Sequence, residues 1–92
     1  MELLNHNLSA EQRGQFTRRK YFEVSGGVTR ARYRIRRASV LNVEELDSMG
    51  RCVRRLCVRP EGGLPLGDVL LSQKLALELF EAETLAVANA DR

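Results

Sequence analysis

Arginine recurs at every second position of one short segment of this 92-residue chain. Residues 29–37 read TRARYRIRR. Side chains of an extended strand alternate between its two faces, so this spacing aligns the arginines in one row. A guanidinium group stays charged, and its planar fork binds phosphate or carboxylate groups through paired hydrogen bonds. The segment therefore predicts a surface that binds phosphate groups or an acidic protein.

The positive charge of the chain is concentrated in its middle part. Residues 13–59 contain 13 Lys and Arg against four Asp and Glu, whereas residues 60–92 contain two basic and six acidic residues. The formal net charge of +3 conceals this division. A basic surface attracts nucleic-acid phosphates, but a run of charge often does no more than keep a protein face solvated. Both explanations stay open at the level of the sequence.

Residue types that could catalyse a reaction or bind a metal are few. His6 is the only histidine, and it lies before the first predicted helix, in a segment without a predicted fixed position. Cys52 and Cys57 lack the second pair of Cys or His ligands that a structural zinc site needs. We therefore expect a non-enzymatic protein with no metal site and no cofactor.

The sequence indicates a cytoplasmic domain. It contains no run of 18 apolar residues and no secretory signal pattern, so we expect no contact with a membrane. Cys52 and Cys57 would lie on opposite faces of a strand, which disfavours a disulfide between them. Free thiols are typical of a reducing compartment.

Two extended segments, residues 20–25 and 29–37, predict a β-hairpin that presents the arginines. Glycine at positions 26 and 27 would supply the positive φ angles of a two-residue turn. In that register Glu23 lies opposite Arg30, and Tyr21 lies opposite Arg32. Tyr21 would then either form a cation–π contact with Arg32 or stack on a nucleic-acid base. The remaining arginines of the segment, at positions 34 and 36, would have no partner within the chain.

Two further strands are predicted over residues 39–46 and 51–59. A three-residue loop after the hairpin would place Leu41 and Val43 on the core side of the sheet and Glu44 opposite the arginines. Arg55 continues the charged face. Arg54 interrupts the alternation of the fourth strand, which predicts a bulge, a strand start or a sheet edge at that point.

Helices are predicted on both sides of the strands. Ser9 and Gln12 fit a capping box, so a short helix should begin at Ala10 and run toward Phe16 or Arg19. Residues 1–8 would be a mobile lead unless their leucines dock on the core.

Residues 66–89 are compatible with one long helix that carries two apolar stripes. The first stripe would face the sheet and consists of Val69, Leu70, Leu77, Phe80 and Val87. The second would need the N-terminal segment or a second chain as its partner, and it consists of Leu71, Leu75, Leu79, Ala82 and Ala86.

Together these elements predict one α+β domain over residues 1–92. It consists of a short N-terminal helix, a four-stranded antiparallel β-meander over residues 20–59 and a long C-terminal helix packed on one sheet face. The predicted function is binding of a nucleic-acid phosphate backbone by the sheet face, through Arg30, Arg32, Arg34, Arg36, Arg55, Arg59 and Tyr21. The alternative is protein interaction or homodimer formation through the second helical stripe, with the arginine face solvated or docked on an acidic partner.

Overall fold

The computed structural model describes residues 1–38, 40–58 and 62–91. These residues form four helices and a five-stranded antiparallel sheet. In chain order the elements are α1 Glu2–Asn7, α2 Ala10–Arg19, β1 Tyr21–Ser25, β2 Arg32–Arg36, β3 Val43–Leu46, β4 Cys52–Cys57, α3 Leu66–Leu79, α4 Glu81–Val87 and β5 Asn89–Asp91. The strands follow one another across the sheet in that order. The predicted α+β class, short N-terminal helix, antiparallel meander and helix on the sheet are confirmed. The additions are α1, β5 and a break in the C-terminal helix.

One face of the sheet packs against the helices and forms the core. The buried residues of this core are Phe22, Val24, Tyr33, Ile35, Val43 and Leu56 from the strands and Leu4, Leu8, Leu70 and Leu77 from the N-terminal segment and α3. The alternation of apolar side chains in β1 and β2 predicted this face correctly. The first eight residues were expected to be mobile unless their leucines dock on the core. Leu4 and Leu8 do dock there, so this segment has a fixed position.

The predicted register of the β1–β2 hairpin is wrong by four positions. Glu23 lies opposite Arg34 rather than Arg30, and every other β1 residue shifts its partner by the same amount. The connection spans residues 26–31 and is closed by a 2.8 Å hydrogen bond from the N–H of Gly26 to the carbonyl of Ala31. Because four is an even number, the shift changes the partners but not the face on which each side chain lies.

Close packing explains why Gly26 and Gly27 stand in this loop. Neither has a positive φ angle. A Cβ atom on Gly26 would overlap the carboxylate of Glu81, and one on Gly27 would overlap the carbonyl oxygen of Glu78. The two glycines therefore allow the loop to touch the junction between α3 and α4.

A buried carboxylate holds the loop at that junction. Glu81 is 1% exposed. It accepts hydrogen bonds from the N–H groups of Val28 and Thr29, at 2.9 and 2.8 Å, and from the hydroxyls of Thr29 and Tyr33, both at 2.6 Å. A buried charge is tolerated only where donors replace its lost water, and these four contacts supply those donors and hold the loop and β2 against the start of α4.

The predicted single helix over residues 66–89 is interrupted at Phe80, which has φ −136° and ψ 47°. In an unbroken helix the carbonyl of Leu77 would accept a hydrogen bond from the N–H of Glu81. Here it accepts one from the N–H of Gly27, at 3.0 Å. The loop thus replaces the next helical hydrogen bond, and the chain restarts as α4.

The break divides the first predicted stripe. Leu70 and Leu77 are buried and Val69 is half-buried, as expected for a face that packs on the core. Phe80 and Val87 lie at or beyond the break and are 58% and 81% exposed. Their predicted place in the core is therefore wrong.

The third strand begins later than predicted, and the fourth contains the expected irregularity. Leu41 lies outside the strand with φ 48° and is half-buried, so its predicted core position within β3 is wrong. In β4, Arg54 pairs with Glu45 while Cys52 pairs with Leu46. One extra β4 residue lies between the two pairs, which confirms the bulge that Arg54 indicated.

Side chains of α2 cover the outer edge of β1. Gln12 donates a 2.9 Å hydrogen bond to the carbonyl of Glu23, and Gln15 accepts one of 2.9 Å from its N–H. These contacts satisfy edge groups that would otherwise be open to another strand. Within the ranges that the structure describes, there is no helix with the length and apolar character needed to cross a membrane.

Candidate functional site

A row of alternating charges crosses the open face of the sheet. Glu23, Arg34, Glu44 and Arg55 lie opposite one another on β1, β2, β3 and β4. Arg34 is 3.4 Å from the Oε2 of Glu23 and 3.6 Å from the Oε1 of Glu44. Opposite charges on neighbouring strands stabilise a sheet, whereas like charges destabilise it. The neighbouring glutamates therefore balance much of the arginine repeat.

Arg34 is an internal ion-pair residue. Its side chain is 19% exposed and that of Glu44 is 10% exposed. The guanidinium carbon lies 4.6 Å from the centre of the Tyr21 ring, a cation–π distance. The prediction that Arg34 lacks a partner within the chain is wrong, as is the predicted pairing of Tyr21 with Arg32, because both depended on the mistaken register.

Arg36 and Arg32 are partly paired and partly exposed. Arg36 Nε lies 3.1 Å from Glu44 Oε2, so the expectation that it lacks a partner is also wrong, and its side chain is 47% exposed. Arg32 Nη1 lies 3.9 Å from Glu23 Oε1, and its side chain is 53% exposed. The two arginines stand at opposite ends of β2, roughly 13 Å apart along the strand. Either can contact a ligand, but they belong to different ends of the sheet.

The other predicted arginines are dispersed. Arg30 lies in the β1–β2 loop, not on the strand, and its backbone adopts a left-handed φ of 63°. Arg55 is exposed on the open face beside Glu44. Arg59 lies outside the described residues. Of the predicted arginines, the five that the structure describes are therefore not brought together into one site.

Four basic residues are instead neighbours along the backbone at the end of the sheet where β1 begins and β2 ends. The N–H of Arg37 donates a 2.9 Å hydrogen bond to the carbonyl of Lys20. Arg19 ends α2, and Arg36 ends β2. We call Arg19, Lys20, Arg36 and Arg37 the basic corner. All four are exposed, and in the part of the chain that the structure describes only Arg36 forms an ion pair.

Three members of the basic corner were not predicted from the sequence. The available signal was the basic run at positions 18–20 together with Arg37. Cations at a helix C-terminus complement the negative end of its dipole. The basic run could therefore be explained by its place at the end of α2 alone. Only the pairing of Lys20 with Arg37 shows that the run belongs to a larger cluster.

The second helical stripe, predicted as an interface, is mostly uncovered. Leu71 is half-buried and packs against the core. Leu75 and Leu79 are 41% and 64% exposed. Ala82 and Ala86 are exposed on α4.

Catalytic and metal-binding side chains do not converge in the described residues. His6 is exposed in α1, Cys52 is exposed and Cys57 is half-buried. Among residues 1–38, 40–58 and 62–91, no group of three or more His, Cys, Asp or Glu side chains is arranged to hold a metal ion. The strongest electrostatic perturbations surround Glu81. Burial raises the pKa of the carboxyl, but hydrogen bonds from Thr29, Tyr33 and Val28 outweigh it and lower that pKa to about 2.

No protein-family model matches the chain, and no curated protein or solved structure shows significant similarity to it.

Proposed function

We propose that this domain binds the phosphate backbone of a nucleic acid through the basic corner. The observation that carries the proposal is the backbone adjacency of Arg19, Lys20 and Arg37, three exposed cations that form no ion pair within the described residues. Elsewhere on the sheet, Glu23, Glu44 and Glu45 form ion pairs with Arg32, Arg34 and Arg54. A cluster that keeps its charge uncompensated raises the local concentration of a polyanion.

The arrangement favours phosphate over an acidic protein surface. Arginine and lysine at one corner can each contact a different phosphate oxygen along a polymer, and each such contact releases a condensed counterion. Arg36 contributes a guanidinium that is already oriented by Glu44 at 3.1 Å. Arg55 extends the basic surface along the open face, beyond Glu44.

Charge removal at the basic corner tests the proposal. In the double variant R19Q and R37Q, Lys20 is retained because its backbone has a left-handed φ of 62°. The loss of two phosphate contacts should weaken binding to a 20-base-pair duplex about tenfold or more and reduce the slope of log K against log salt by about two. Fluorescence anisotropy over a salt series measures both quantities.

The matched control removes the same charge from other parts of the domain. Arg13 lies in the first half of α2, and Arg51 pairs with Asp47 in the β3–β4 turn at the opposite end of the strands. The double variant R13Q and R51Q should bind within about twofold of the unmodified protein, because neither side chain belongs to the corner. Equal weakening in both double variants, or no binding of the unmodified protein at low salt, would contradict the proposal.

A second candidate function is docking of a partner protein on α3. Leu75 and Leu79 lie one helical turn apart and are exposed. The single basic side chain of α3 and α4 is Lys74, which is 10% exposed and lies 2.6 Å from Glu78. Of the four acidic side chains on these helices, Glu83 is exposed and Asp68 and Glu78 are half-buried, which favours a basic segment with apolar side chains over a second copy of the same face.

Synthetic helical peptides distinguish these partners. A peptide of leucine and lysine should bind the unmodified protein and lose affinity for the L79S variant, whereas a peptide with glutamate in place of lysine should not bind. Sedimentation that shows a dimer abolished by L75D would identify a second copy as the occupant instead.

A further inference from the structure

The aromatic side chains determine which form of nucleic acid the basic corner can bind. Proteins that bind single strands without sequence preference stack bases on exposed rings next to a basic groove. The chain contains five aromatic residues, three Phe and two Tyr, and the structure describes all of them.

Four of the rings are packed in the core or far from the corner. Phe16 and Phe22 pack edge to face with centroids 5.7 Å apart; Phe22 is fully buried, and Phe16 is half-buried against the core. Tyr33 is 1% exposed, and its hydroxyl is bound to Glu81. Phe80 is 58% exposed, but it lies at the α3–α4 junction beside the β1–β2 loop, at the opposite end of the strands.

Tyr21 directly follows Lys20 on the open face of the sheet, and two guanidinium groups already lie over its ring. The guanidinium carbon of Arg34 lies 4.6 Å from the ring centre, and that of Arg36 lies 5.7 Å from it. Arg34 is fixed there by two carboxylates. A stacked base would have to displace these cation–π contacts, and with them the position of Arg34 between Glu23 and Glu44.

Affinity at the corner therefore depends on phosphate contacts alone. A duplex presents one charge per about 1.7 Å of its axis, about twice the density of one of its strands, and its counterion release per contact is larger. A cationic surface that offers no ring for stacking therefore gains more binding free energy from the duplex than from a single strand. We infer that the ligand of the basic corner is double-stranded nucleic acid, bound through its backbone without base stacking; this inference rests on the proposed function.

Direct comparison of the two forms tests the inference. A 20-base-pair duplex of mixed sequence and each of its separated strands, as DNA and as RNA, are titrated with the full chain at several salt concentrations. The duplex should bind about tenfold tighter than either strand at low salt. A strand that binds as tightly as the duplex, with affinity lost in R19Q and R37Q, would overturn the inference and leave the proposed function standing. Absence of binding to both forms would overturn both.

The F80S variant provides an independent check on stacking. Because Phe80 is the most exposed ring and lies far from the corner, its loss should leave the affinity for each polymer unchanged within about twofold. Weaker binding of the single strands by F80S would show that a ring does contribute, and would contradict a backbone-only mode.

Discussion

The hydroxyl of Tyr33 donates a 2.6 Å hydrogen bond to the carboxylate of Glu81, 48 residues further along the chain. The same carboxylate receives the N–H groups of Val28 and Thr29. One buried side chain thus joins β2, the β1–β2 loop and the start of α4. This contact holds the six-residue loop in place, and the loop in turn sets the pairing of Glu23 with Arg34.

Neutralisation of Glu81 should destabilise the domain. In E81Q one carboxylate oxygen becomes an NH2 group that faces donors, so the expected loss in the free energy of unfolding is about 1–3 kcal/mol. E81A leaves the N–H groups of Val28 and Thr29 unsatisfied and should cost more. Urea titration followed by circular dichroism measures both, with E83Q on the exposed side of α4 as the control. If E81Q and E83Q have the same small effect, the contact network contributes little.

Glu81 should also confer a defined pH dependence on stability. Hydrogen bonding lowers its pKa in the folded state to about 2, from an ordinary value of 4.5. A depressed pKa means that the unfolded chain binds the proton more readily, so the contribution is complete above pH 4.5 and is lost as the pH falls toward 2. A shift of this size corresponds to about 3 kcal/mol. The stability difference between the unmodified protein and E81Q should shrink over that interval; parallel pH profiles would argue against this assignment.

The hairpin shows how far the sequence determined the fold. Alternation in β1 and β2 was enough to assign the core face, because that assignment depends only on odd or even position. The register depended on the loop, and the loop is bound by Glu81, which lies 55 positions after Gly26. No local sequence pattern indicates such a distant contact. The two glycines were therefore compatible with a two-residue turn as well as with the six-residue loop.

Substitution of Gly27 tests the packing explanation. A methyl group at this position would overlap the carbonyl oxygen of Glu78, a backbone atom that cannot rotate away. G27A should therefore lower the free energy of unfolding by about 1–3 kcal/mol or more. G63A is the matched control, because nothing lies within 4 Å of the added atom. A stable G27A protein would show that the loop can move off the junction at little cost.

The candidate site was predicted only in part for the same reason. Arg36 and Arg55 were correctly assigned to the open face, because the odd or even position of a residue in its strand was enough to assign its face. The compensation of Arg34 by Glu23 and Glu44 required the true register. The basic corner required both the register and the end of α2, which together place Lys20 beside Arg37.

Substitution of Arg34 should affect mainly stability, whereas substitution of Arg37 should affect mainly nucleic-acid binding. Arg34 is mostly buried between two carboxylates, and R34A would leave Glu23 with only the 3.9 Å contact to Arg32 and Glu44 with only Arg36, so it should cost about 2 kcal/mol of stability. In a double-mutant cycle with E44A, the coupling should reach about 1 kcal/mol or more, while the exposed pair Arg51 and Asp47 should show at most about 0.5 kcal/mol.

R37A should behave in the opposite way. Its side chain is exposed and its backbone contact to Lys20 survives the substitution, so the free energy of unfolding should change by less than about 0.5 kcal/mol. Its affinity for duplex should fall about threefold to tenfold, because one phosphate contact is lost. Urea titration and anisotropy on the same samples measure both properties. An R34A protein that stays stable but loses duplex binding would place Arg34, and not the corner, at the phosphate contact.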